Sequence, residues 1–104
     1  MMTESEWRSC GEPDLLLEEL EGRVDRAILV EWVRRCWDRV APGLVVVGST
    51  PADEYAALSP GQSDHDAVVY ADEAALRASR YAADMKAERR LQADLLRQLV
   101  SRPE

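Results

Sequence analysis

The stretch Ala71–Val100, ADEAALRASRYAADMKAERRLQADLLRQLV, decides the fold class of this chain. It contains neither Gly nor Pro and is rich in Ala, Leu, Arg and Glu, the strongest helix formers. At 100° per residue, Ala71, Ala74, Ala78, Tyr81, Ala82, Met85, Leu95, Leu96, Leu99 and Val100 fall on one stripe. Arg80, Asp84, Arg90 and Asp94 lie away from it. The pattern predicts one continuous helix, stopped by Arg102-Pro103, that spans about 45 Å at 1.5 Å per residue. That exceeds the diameter of a domain of 104 residues. The alanine half of the stripe lets a neighbouring helix approach closely, while the leucine half overruns the chain's own core. Apolar surface of that kind is commonly buried in a second copy, so a homodimer through Met85, Leu95, Leu96 and Leu99 is expected. The alternative is that the upstream helices fold back over the stripe.

Working outward, Ser63-Asp64-His65-Asp66 has the form of a capping box, which competes with a reading of Ala67–Tyr70 as a strand. Leu44–Val47, with three consecutive valines, reads as a short buried strand. Thr50-Pro51-Ala52-Asp53 signals a helix of about two turns to Leu58, and Ser59–Gln62 a turn. Upstream, Arg23–Val40 is amphipathic, with Ile28, Leu29, Trp32, Val33, Cys36, Trp37 and Val40 on its apolar half, and Pro42-Gly43 stops it. Pro13–Glu21 is a short helix broken by Gly22. Residues 1–11 are either a flexible tail or a short helix pinned by the Trp7 indole. The fold expected is a single mainly α domain over 1–104. It is a small helical bundle with a long C-terminal helix and at most one short β pair, near residues 44–48 and 67–70.

The charge is arranged in blocks. Met1–Gly22 carries net −6, Arg23–Ala41 net +2, Pro42–Ala75 net −6 and Leu76–Glu104 net +3, within a formal total of −7. The third block holds six acids and no Lys or Arg. Such segregation bears on how a protein meets partners rather than on chemistry. A net −7 speaks against direct nucleic-acid binding, where affinity comes from cations that displace counterions. No apolar run has the length of a membrane span, and the acidic N-terminus lacks the apolar core of a secretory signal. A cytoplasmic location and free thiols at Cys10 and Cys36 are the expectation, with Cys36 buried and Cys10 accessible.

No catalytic, metal or cofactor motif stands out, and none of these roles is assigned. His65 stands between Asp64 and Asp66, yet neighbouring helical residues point apart and no second ligand stands at metal spacing. Gly48-Ser49-Thr50 lacks the Lys of a phosphate-binding turn, and Asp53 and Glu54 would repel an anion. The acids Asp53, Glu54, Asp64, Asp66, Asp72 and Glu73 are therefore read as a binding surface for a basic protein partner. Trp7, in a polar neighbourhood, and Arg89, within the C-terminal stripe and able to fork onto a partner carboxylate, are added as contact residues. The function expected is a small acidic interaction module of the inhibitor, immunity-protein, antitoxin or regulatory kind, not an enzyme. The alternative is a small enzyme with an Asp/His pocket around Asp64–Asp66.

Overall fold

The computed structural model describes residues 2–41 and 63–100. Among them are five helices and no strand, with 77% of the described residues helical. The helices are α1 (Glu4–Ser9), α2 (Pro13–Leu20), α3 (Arg26–Val40), α4 (Asp64–Ser79) and α5 (Met85–Leu99). The mainly α helical bundle is the class read from sequence. The expected strand Leu44–Val47, the helix 50–58 and the turn 59–62 lie outside the described residues.

Local chemistry sets each boundary. Thr3 and Glu6 form a reciprocal capping box, with Thr3 Oγ1 accepting from Glu6 N at 3.1 Å and Glu6 Oε1 accepting from Thr3 N at 3.3 Å. The indole of Trp7 is buried in the core, so residues 4–9 are a docked helix rather than a flexible tail. Pro13 opens α2, and Gly22, at φ 75°, makes the left-handed turn that ends it. Asp25 caps α3 by accepting from Ala27 N at 2.9 Å, two residues later than the predicted start. At Ser63 the capping reading prevails over the strand reading. Its Oγ accepts from Asp66 N at 3.1 Å, and residues 67–70 are helical.

The continuous helix over 71–100 is the expectation that fails. The chain leaves helix at Arg80 and re-enters at Met85, with Asp84 as the new cap, its Oδ1 accepting from Ala87 N at 3.1 Å. Just before the break, Ser79 is buried and its hydroxyl donates to the carbonyl of Leu76 at 2.6 Å, a bond that competes with helical pairing. Packing supplies the driving force. The molecule measures 39 × 35 × 17 Å, so a 45 Å rod would have left much of its stripe in water. Folded as a hairpin, α4 lays its alanine face (Ala67, Ala71, Ala74, Ala75 and Ala78) mainly against α3, while α5 reaches α2, α3 and α4.

The core is therefore built by one chain. Leu16, Leu17, Leu20, Leu29, Trp32, Val33, Cys36 and Trp37 pack with the alanine face and Leu96. Two of the core indoles donate to backbone carbonyls, Trp32 Nε1 to Gln92 at 2.8 Å and Trp37 Nε1 to Ala74 at 3.1 Å. Leu96 is fully buried, Leu95 and Leu99 are half-buried against the core, and only Met85 of the expected interface set is exposed.

Candidate functional site

Ion pairs between distant parts of the sequence shape the site. Arg89 does fork, but onto its own chain. Its Nη2 donates to Asp72 Oδ1 at 2.5 Å and its Nη1 to Gln92 Oε1 at 2.8 Å. The side chains of Arg89 and Asp72 are 15% and 25% exposed, so both expected contact residues are largely taken up internally. Gln92, fully buried, uses its amide Nε2 to reach the Ala75 carbonyl at 2.7 Å and so ties α5 to α4. Beside it Glu88 is buried and receives a two-pronged bond from Arg39, at 2.9 and 3.2 Å. That bond raises the Arg39 pKa and keeps the guanidinium charged. Cys36 lies fully buried within reach of these charges, and burial pushes its thiol well above the ordinary range, so it stays protonated and inert. Arg97 donates to the carbonyls of Trp7 (3.2 Å) and Cys10 and to the carboxylate of Asp94. It thereby clamps the N-terminal segment to α5.

The acidic stretch is less uniform in space than in sequence. Asp64 is exposed, with Arg26 Nη2 3.8 Å away, and Glu73 pairs with Arg77 one turn later at 3.0 Å. Asp66 is exposed and has no ion-pair partner among the described residues. Asp53 and Glu54 lie outside the described residues. Trp7, buried, is not an exposed anchor. The premise that bases are remote from these acids is corrected: Arg26, Arg77 and Arg89 come to them from other blocks of the chain.

What the fold adds is a second row of acids. α2 and α4 pack side by side, and a groove of about 280 Å³ runs between them. Asp14 and Glu18 of α2 and Glu21, its C-cap residue, line one wall at spacings of i, i+4 and i+7. His65, Val69 and Asp72 line the α4 wall at the same spacing. Leu17 and Val68, both buried, form the floor, and Val69 is half exposed. No Lys or Arg contributes to the lining. His65 Nδ1 stands 2.6 Å from Glu21 Oε1 and bridges the two walls at one end. The α2 acids were visible in sequence as the first acidic block, but nothing in the sequence paired α2 with α4.

The imidazole is oriented by Glu21, not by Asp64 or Asp66, and no hydroxyl or thiol lines the groove to serve as its nucleophile. A larger cleft of about 790 Å³ lies between residues 10–14 and the first turns of α5. There Glu12 and Asp14 face Lys86 and Arg90, so its charges largely offset, and the Cys10 thiol donates to the Glu12 carbonyl at 3.4 Å, not to a general base. Among the described residues no three His, Cys, Asp or Glu side chains gather as a metal site, and no helix is long and apolar enough to cross a membrane. Against known proteins, no family model matches the chain, and no curated protein and no solved structure matches it.

Proposed function

We propose that this protein is a small acidic interaction module, of the inhibitor, immunity-protein, antitoxin or regulatory kind, that docks a basic surface of a protein partner. The observation that carries the reading is that acids of two blocks line one groove, Asp14, Glu18 and Glu21 of the first with Asp72 of the third. Asp14, Glu18 and Glu21 of the first block stand opposite α4, whose first turn carries Asp64 and Asp66 of the third. Carboxylates concentrated in this way speed encounter with a positive partner and disfavour a negative one. The partner is heterologous in this reading. A second copy is not needed to cover Leu95, Leu96 and Leu99, which pack within the chain.

Affinity capture from the native host, at low and high salt, tests the proposal. Wild-type protein is compared with a variant carrying Asp64→Lys, Asp66→Lys and Glu73→Lys. Asp72 is left intact, because it holds Arg89 in the interior. The expected result is salt-sensitive recovery of a basic protein that the reversed variant loses, with folding nearly unchanged, since exposed charges contribute little to stability. Equal recovery by both proteins would show this acidic face to be solvated surface and nothing more.

A further inference from the structure

We infer that the groove between α2 and α4 is a helix-docking site, whose occupant is a basic amphipathic helix of the partner. This inference rests on the interaction reading above and names the element recognised. The groove, at about 280 Å³, has room for a few side chains projected from a larger partner. Its two walls each repeat over seven residues, Asp14–Glu18–Glu21 facing His65–Val69–Asp72. At 1.5 Å per residue each row runs about 10 Å, two turns of helix. A helix laid along it presents side chains at the matching i, i+3/i+4 and i+7 positions, as helix-in-groove recognition requires.

The lining decides the chemistry of that helix. Leu17 and Val68 offer an apolar floor, and Val69 leaves about half its surface in water (48% exposed) for an aliphatic anchor to cover. The rim bears four carboxylates, of which Asp14 also borders the cleft that carries Lys86 and Arg90. Two of them are already engaged, Glu21 by His65 and Asp72 by Arg89. Asp14 and Glu18, one turn apart, have no ion-pair partner among the described residues. They are placed to receive arginines spaced one turn apart on the incoming helix. An acidic or neutral helix would bring no counter-charge to this rim, and an anionic ligand would be repelled by it.

The test uses a synthetic helical peptide of about four turns, with leucines along one stripe and arginines flanking it, against a scrambled peptide of identical composition. Binding to the full chain is followed by fluorescence anisotropy and by amide chemical shifts. The helical peptide should bind at least tenfold more tightly than the scrambled one, with shifts centred on Leu17, Val68 and Val69. Asp14→Asn with Glu18→Gln should weaken it about tenfold and flatten its salt dependence. Val69→Gln, which keeps helix propensity and adds no charge, should weaken it about fivefold. Circular dichroism of each variant checks that the fold is retained. If both peptides bind alike and Val69→Gln changes nothing, the attraction is diffuse and the groove is overturned, while the wider acidic reading stands. No binding at millimolar peptide also overturns the groove, and the capture experiment then judges the wider reading separately. Self-association of the free chain that Glu18→Gln abolishes would give the groove to a second copy and refute the assignment.

Discussion

Replacing Arg39 with Met should damage this protein more than replacing the residue that Arg39 binds. The Glu88 side chain is 7% exposed and both its oxygens accept from Arg39, whereas Arg39 is 41% exposed. Arg39→Met keeps most of the aliphatic stem but leaves a carboxylate buried without its counter-charge. Stranding one member of a fully buried pair costs about 3–5 kcal/mol. Water at the Arg39 end screens the pair, so the expected loss here is about 2–3 kcal/mol. Glu88→Gln removes a charge instead of stranding one. The amide oxygen still accepts from the guanidinium, which can turn to solvent, and the cost should be about 0.5–1.5 kcal/mol. The double variant Arg39→Met/Glu88→Leu should be more stable than Arg39→Met alone, because an apolar side chain then replaces the stranded charge. Urea unfolding followed by far-ultraviolet circular dichroism and tryptophan fluorescence reads all three, with the denaturant slope checked for constancy. Should Arg39→Met cost no more than Glu88→Gln, Glu88 must reach water. The pair would then be an ordinary surface bridge, and the asymmetry argued from burial would be refuted.

Two further outcomes follow from the same packing. Burial holds the Cys36 thiol protonated in the folded chain, while the unfolded thiol ionises near its ordinary value of 9.0. The folded state thus keeps a proton the unfolded state has lost, and stability should fall above pH 9.0 by about 1.4 kcal/mol per pH unit from this group. Cys36→Ala should flatten that alkaline slope relative to wild type, and thiol labelling of the native chain should modify Cys10 well before Cys36. Asp84→Ala should cost about 0.5–2 kcal/mol through the lost cap of α5, and hydrogen exchange should quicken first at Ala87, whose amide the Asp84 carboxylate receives. An unchanged exchange pattern would mean that packing alone holds the α4–α5 turn.

The sequence was most legible where period and capping agree, and least where polar residues entered the core. Leu29, Trp32, Val33, Cys36 and Trp37 form the buried face of α3 as its periodicity implies. On α5 the buried face also includes Glu88 and Gln92, which fall on the stripe by position while their polar side chains argue for water. Their burial depends on partners far away in sequence, Arg39 for Glu88 and the Ala75 carbonyl for Gln92, and periodicity within one helix carries no trace of either. The break at 80–84 was hidden for a related reason. Asp84 is a capping residue, but without Gly or Pro beside it only the tertiary gain of folding α5 back reveals that it caps. The acidic groove escaped the same way, since Glu18 and Val69 belong to one site only after α2 meets α4.

These internal pairings also change what the net charge means. The side chains of Arg89 and Arg97 are only 15% and 16% exposed and bond to the chain itself. Arg39 is likewise drawn onto a buried acid. A basic side chain turned inward no longer offsets surface carboxylates at short range, while Asp14, Glu18 and Asp66 remain outside. The folded surface near α2 and α4 is therefore more acidic than a uniform spread of the formal −7 would make it. Arg26, Arg77 and Arg89 stand beside Asp64, Glu73 and Asp72, so the acids of this face with no ion-pair partner among the described residues are Asp14, Glu18 and Asp66. Fold and proposed recognition are linked through the same few residues.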